Sequence, residues 1–322
     1  MKTPSKLLVA TTIIIVYLIF VGFYAYNALE SKKERIYVEL SHKLTNELNN
    51  EKKYLQEIGI INASFIAEYK DIKQALIDND RVPAIKILQK ISKDFAKSTN
   101  IKDMKIHIHT ADTKAFIRSW KLNKFGDDLS GFRKAIVKVK ENREPFFGFE
   151  VGRMGLTLRS IVPIMEQKKF LGSLEFIQNF ENIIKTFKKK DYGYLLLMDN
   201  SLISIAKYLQ NAPMIDSYRV SSKNYDTKFL NASKTVDFKR LKQDGYYLSD
   251  KYFYTYEEIK NADNKDQGMH LLAMPNANVQ TAIQNAKNDL LQNIATKSLF
   301  LLLLFVIFAL VTVLISSSRT TR

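Results

Sequence analysis

The sequence predicts an α+β protein: a long N-terminal helix packed on two small modules with antiparallel sheets, flanked by two transmembrane helices. Three features lead there. A long apolar run without a charge lies near each end, and a single apolar stripe at helical spacing begins directly after the first run. Beyond residue 100 the pattern changes to short alternating segments punctuated by turn residues.

Leu7–Tyr26 and Ser298–Ser318 hold no charged residue over twenty and twenty-one positions. A helix needs roughly 20 apolar residues to cross the hydrocarbon core of a bilayer. The first run is longer than the roughly 7–15 residues of a signal-peptide core, and no small-residue cleavage site follows, so it reads as an uncleaved anchor. Lys2 and Lys6 lie outside the first run, Arg319 and Arg322 outside the second. Positive flanks stay on the cytoplasmic side. The expected topology is therefore two-pass in the cytoplasmic membrane, with cytoplasmic tails at 1–6 and 319–322 and residues 27–297 outside.

Leu29, Ile36, Leu40, Leu44, Leu48, Leu55 and Ile58 form one apolar stripe on a helix from Asn27 to about Tyr69, with charges on its other face. A second helix is expected over Val82–Ala96, with Pro83 in its first turn. Residues 27–100 thus read as a helical spine.

Strand-like alternation follows at Met104–His109 and Lys114–Trp120, separated by the turn "TADT". A short helix is expected at 130–142, then strands at Phe146–Val151, Leu156–Met165 and Phe170–Gln178, with "GRMG" and "EQKK" as the turns between them. Phe180–Lys190 is a basic linker helix, so the first module is placed at 101–190. A smaller module at 191–275 has strands at Tyr192–Met198, Tyr246–Leu248, Tyr252–Tyr256 and Met269–Met274, around a poorly periodic stretch at 205–240. Val279, Ile283, Ala286, Leu290 and Ile294 then stripe a helix at 276–297 that runs into the second apolar span at 298–318.

Composition narrows the function. Net charge is +16, of which the flanking Lys2, Lys6, Arg319 and Arg322 carry four, leaving +12 on the exterior segment. Such a surface suits acidic ligands or anionic headgroups. The lysines are scattered rather than clustered, and nucleic acid is not an expected partner outside a membrane. With no cysteine, disulfides, thiol catalysis and iron–sulfur clusters are excluded, and stability must come from core burial. No G-x-S-x-G, P-loop or H-E-x-x-H occurs. The expectation is a protein that is not an enzyme and uses no cofactor.

Several blocks occur in one order: His107 and His109; Phe116, Arg118 and Trp120; the run Gly126–Arg133; and Glu150–Leu156, "EVGRMGL". Over about 104–180 this resembles the membrane-distal part of the double Cache sensor domains of bacterial chemoreceptors and sensor histidine kinases. The second half, 191–275, is similar only in outline. The resemblance implies a long helix on two stacked PAS-like modules that bind small extracellular ligands and signal across the membrane. Such receptors continue after the second span into an output domain. Here only a few residues follow, so the expectation is either an output-less sensor, working with a separate signalling partner or a full-length receptor, or a truncated receptor.

Candidate site residues cluster in the same region. His107 and His109 share one strand face, which leaves three readings open: half a metal site, pocket-lining polar groups, or hydrogen-bonded structural histidines. A zinc site needs three or four ligands and Asp112 is the nearby carboxylate, so no metal is assigned. Phe116, Arg118 and Trp120 are expected on one face. There the arginine offers a bidentate fork to a carboxylate and the indole excludes water. The alternative is an arginine salt-bridged to Glu150 or Asp127. Arg153 lies at a glycine-flanked turn as a second anion contact or a turn cap, with Arg159 a weaker candidate. Phe125 and Glu150 complete the expected ligand-binding set. The long helix also suggests a homodimer. A rival reading is an oligomeric scaffold of the polysaccharide chain-length-regulator type, although the last proline is Pro275 and the interior is strand-rich.

Overall fold

The computed structural model describes residues 6–98, 104–178 and 180–320. The expected boundary at 100–101 and the outermost tail residues, 1–5 and 321–322, lie outside the described residues. Two compact units are formed: one comprises the chain up to Leu40 together with Pro275 onward, the other Ser41–Met274.

Helix α1 spans Lys6–Ala67. Within the second unit its buried side is Leu44, Leu48, Leu55, Ala63 and Ile66, which extends the stripe seen in the sequence. α2 (Lys70–Asp78) follows, closed by Asn79 in the left-handed conformation at φ 55°. α3 (Arg81–Ser98) matches the second expected helix. α2 was not expected, because its buried face is only Ile72 and Ala75.

The first sheet contains β1 (Lys105–Thr110), β2 (Ala115–Arg118), β3 (Phe146–Gly152), β4 (Gly155–Glu166) and β5 (Lys169–Gln178), ordered β2-β1-β5-β4-β3, with α4 (Lys134–Asn142) between β2 and β3. Every pairing is antiparallel. Strand alternation then sorts the side chains. Ile106, Ile108, Val162, Ile164, Leu174 and Phe176 pack with Ala63, Ile66, Ile72 and Leu88 of the helices. Each such fully buried side chain contributes about 1.5–3 kcal/mol. The opposite face carries His107, His109, Arg159, Ser173 and Glu175, and beside them Ala135, Ile136 and Val139 of α4 cluster with Ile161.

One expectation fails here. Ile117 pairs with Ile108, but Ala115 pairs with His109, so Phe116 is skipped in the register. A bulge re-aims the extra residue. Phe116 therefore joins the helix-side core and does not share a face with Arg118 and Trp120.

The second sheet follows α5 (Glu181–Lys189). It is built from β6 (Gly193–Asp199), β7 (Met214–Ile215), β8 (Tyr218–Val220), β9 (Tyr246–Leu248), β10 (Tyr252–Lys260) and β11 (Asp266–Pro275), ordered β7-β8-β6-β11-β10-β9. α6 (Thr227–Ser233) and α7 (Phe238–Asp244) cover one face, where Phe229, Leu230, Phe238 and Leu241 pack on Leu195, Leu197, Tyr254 and Leu271. Asp226 and Asp237 start these helices by accepting from Lys228 and Phe229 N–H, and from Lys239 and Arg240 N–H. The β7–β8 hairpin, inside the stretch at 205–240, was not expected.

α1 touches both sheets. Glu51 accepts from Thr186 Oγ1 at 3.0 Å, Glu47 pairs with Lys190 at 2.6 Å, and Lys52 pairs with Glu257 of β10. At Gly59 the helix lies so close to the first sheet that a Cβ would collide with Gln178 and Ser160. In the other unit, α8 (Asn276–Thr320) continues from β11, and Tyr17 of α1 shares a 2.9 Å hydrogen bond with Ser298. Both helices are long and apolar enough to cross a membrane.

Gly59→Leu is expected to lower the stability of the full chain by about 1–3 kcal/mol through overpacking. Thermal unfolding followed by circular dichroism reads this, with Gly131→Ala, where a Cβ meets nothing within 4 Å, leaving it unchanged.

Candidate ligand-binding site

A buried carboxylate organises the outer face of the first sheet. Glu175, on the middle strand β5, is 0% exposed. Its Oε1 accepts from Arg133 at 2.6 Å and from Arg159, and its Oε2 lies 3.3 Å from His107 Nδ1 and 3.6 Å from His109 Nε2. Glu150 on β3 accepts from Arg133 Nε at 2.7 Å and from the Ala135 N–H, at the start of α4, at 3.0 Å. Burial alone would raise the Glu175 carboxyl, but the Arg133 and Arg159 guanidiniums hold it well below the ordinary range. Burial opposes the charge on Arg133, and Glu175 and Glu150 overcome it, so that this guanidinium stays firmly protonated. His107 is pushed well below the ordinary imidazole value by burial and then by His109, while burial also lowers His109. The floor is thus two carboxylates, two guanidiniums and two neutral imidazoles, with no net charge.

Above this floor opens a cavity of about 470 Å³ lined by residues of both modules. Arg118 lines it and is held by neighbours in the same wall: its two terminal nitrogens meet Asp127 at 2.6 and 2.7 Å, and it also donates to the Lys124 carbonyl at 2.9 Å. That guanidinium holds the Asp127 carboxyl below its usual value. Trp120, 43% exposed, lines the cavity with its ring edge-on to His107 at 5.8 Å. Arg153 lines it from the β3–β4 turn.

Of the seven residues expected from sequence, His107, Arg118, Trp120 and Arg153 come together in the lining. His109 and Glu150 stand beneath it, in the ionic floor; His109 is 0% exposed and bonded to Ser173 at 2.9 Å. Phe125 lies outside the lining, its ring under the Arg81 guanidinium at 3.7 Å. The salt-bridge partner of Arg118 is Asp127, not Glu150, because Arg133 occupies Glu150. Sequence reasoning missed Arg133, Glu175, Lys121, Lys124 and the whole second-module wall, Tyr208 and Ser221–Asn224. The lone acid in "GSLEFIQ" was a usable signal, since a carboxylate in an apolar strand requires a buried partner.

His107, His109 and Glu175 bring their ligand atoms within 4.8 Å of one another. As a divalent cation site the cluster is electrostatically poor. Glu175 already carries two guanidiniums, and Arg133 works against positive charge on both imidazoles.

The family described as the double sensory domain of two-component sensor kinases, a double Cache family, matches residues 33–278. The chain belongs to that family. Its fold, with a long N-terminal helix and two antiparallel sheets, is that of a Cache sensor, a ligand-binding sensory domain, and the scaffold reading falls away. Among solved structures, the chain is similar to the V. cholerae histidine kinase DctB sensor domain (13% identity, TM-score 0.43, covering 74% of this chain and 98% of that one). It is also similar to the ligand-binding domain of the Campylobacter jejuni chemoreceptor Tlp3 in complex with L-valine (11% identity, TM-score 0.46, covering 81% and 98%). No curated protein matches at a significant level.

Two outcomes are expected of this Cache floor. Glu175→Gln leaves Arg133 and Arg159 short of a buried counter-charge and costs about 3–5 kcal/mol of stability in chemical denaturation. The pH dependence follows from the histidines. His107 and His109 of the floor, and the buried His270 of β11 in the second sheet, are neutral when folded but protonate near 6.5 when unfolded. The unfolded chain therefore binds more protons below that pH. Stability should be level above about pH 7 and fall as pH drops through 6.5. Glu175 adds a further loss below 4.5, the ordinary value that its carboxyl regains on unfolding. A melting temperature independent of pH between 7.5 and 5 would contradict this floor.

Proposed function

We propose that the chain is a membrane-anchored extracytoplasmic sensor that binds a small anionic ligand in the cavity and passes a conformational change along α1 and α8 into the membrane. The module at 101–190 is the membrane-distal one and that at 191–275 the proximal one. The +12 charge of the exterior segment agrees with this reading.

The observation that carries it is unbalanced positive charge. Lys105, Lys121, Lys124, Arg153 and Lys223 line the cavity and make no ion pair among the described residues. Of the two lining carboxylates, Asp127 is paired with Arg118, and Glu181 accepts from the neutral Asn224 amide at 2.9 Å and keeps its charge, so these five cations face one further carboxylate. Burial, and next the Arg153 guanidinium, lower the Lys124 ammonium below its ordinary value. Two cations facing one cavity stabilise a bound anion, and Trp120 offers its ring to a planar or apolar body. A ligand that favours one of two pre-existing arrangements of the modules shifts their populations by its differential affinity.

Trp120 is the only tryptophan, so its fluorescence reports the cavity directly. In the full chain in detergent, iodide should quench Trp120 several-fold more effectively than caesium, with acrylamide as the neutral reference. Lys124→Gln with Arg153→Gln should remove most of the difference. Equal quenching by iodide and caesium in the native chain would sink the anionic reading.

A homodimer through α1 is part of the proposal. Tyr54, Ile61 and Phe65 are 54%, 65% and 61% exposed on that helix, an apolar stripe suited to a second copy. Sedimentation should find dimers that Ile61→Lys with Phe65→Lys converts to monomers; an unchanged mass would exclude this face.

A further inference from the structure

The cavity that holds Arg118 and Trp120 is not closed by the first module alone. Tyr208 and the segment Ser221–Asn224, which follows β8, form the rest of its wall. The modules are pressed together at this place. Leu156 N–H donates to Ser221 Oγ at 2.8 Å, Tyr208 N–H donates to the Arg153 carbonyl at 3.0 Å, and Gly155, at φ +90°, carries Leu209 and Ser221 where a Cβ would stand.

Two adjacent serines behave differently. Ser221 is used up in joining the modules. Ser222 is 7% exposed and lines the cavity, yet its Oγ has no hydrogen-bond partner. A buried hydroxyl left unmade costs about 1–3 kcal/mol, so a ligand that satisfies it is favoured. The next residue, Lys223, supplies a charge without an ion-pair partner among the described residues.

We infer that the second module supplies part of the ligand site: Ser222 and Lys223 bind the negative group of the ligand together with Lys124 and Arg153 of the first module. This rests on the anionic reading of the cavity. The ligand class is a small oxyanion or carboxylate, and its binding pins the two modules to each other. The consequence reaches further into the second module. Lys223 and Asn224 also wall a second cavity of about 470 Å³, whose lining includes Asp191, Asp226 and Tyr252. Lys223 thus stands between an anion in the first cavity and two carboxylates in the second, and drawing it to the first changes both. Occupancy of the first module is read directly by the module whose last strand leads into α8.

The test uses the full chain in detergent, with sulfate as the probe and iodide quenching of Trp120 as the readout. Sulfate should protect Trp120 saturably. Lys223→Gln and Ser222→Ala should raise the half-protecting sulfate concentration by about 5-fold or more, as loss of a hydrogen bond to a charged group requires. Lys239→Gln, on α7 away from the cavity, should leave it unchanged, and acrylamide quenching should be the same in all variants. If Lys124→Gln and Arg153→Gln weaken protection while Lys223→Gln and Ser222→Ala match the native chain, the shared site is wrong and the anionic cavity stands. If sulfate gives no saturable protection in the native chain, both readings fall.

Discussion

Glu175 carries a carboxylate into the middle of a five-stranded sheet at 0% exposure, and a bare charge there would cost several kcal/mol. Two guanidiniums from different elements answer it, Arg133 from the turn before α4 and Arg159 from β4, with His107 and His109 alongside. Because the arginines outnumber this one acid, Glu150 is recruited as well, and its second oxygen fastens the start of α4. The network therefore fixes the strands, the helix and the imidazoles relative to one another. It also settles where charge is available. Everything beneath the cavity is neutralised, and the lysines and Arg153 at its wall are not.

The same logic runs through the helix that supports the sheets. α1 packs Ala63 and Ile66 against the first sheet, closely enough that a Cβ at position 59 would collide with the Gln178 and Ser160 side chains, and reaches β10 of the second through Lys52 and Glu257. The two modules meet again at the β3–β4 turn. Polar links at 2.8 and 3.0 Å, with Leu209 packed beside Gly155, join that turn to the segments around Tyr208 and Ser221. Contacts of this kind are reorganised at lower cost than a packed core, which suits a place where a small ligand must alter how two modules sit.

Sequence alone carried much of the fold because its signals are periodic. The stripe from Leu44 to Leu55 and the alternation of Ile106 with His107 and Ile108 with His109 needed no tertiary information. What stayed hidden depends on register and on distant partners. The bulge at Phe116 broke an alternation that looked regular, and it separated Phe116 from Arg118. Arg118 and Trp120 were legible as wall residues, but the partner of Arg118 depended on Glu150 already being taken by Arg133. Phe125 looked like a neighbour by proximity in sequence, yet it packs under Arg81. Ser222 and Lys223 had no local signal at all. They lie in an aperiodic stretch, and reach the cavity only through the tertiary contacts that join this segment to the first module's β3–β4 turn.

A neutral floor leaves free positive charge focused in the cavity beside Trp120 rather than spread over a lysine-rich surface. The most direct measurement is anomalous diffraction from crystals soaked in bromide. A strong bromide peak inside the cavity, within reach of Lys124, Arg153 and Lys223, is predicted. Bromide scattered over surface lysines, with none in the cavity, would contradict it.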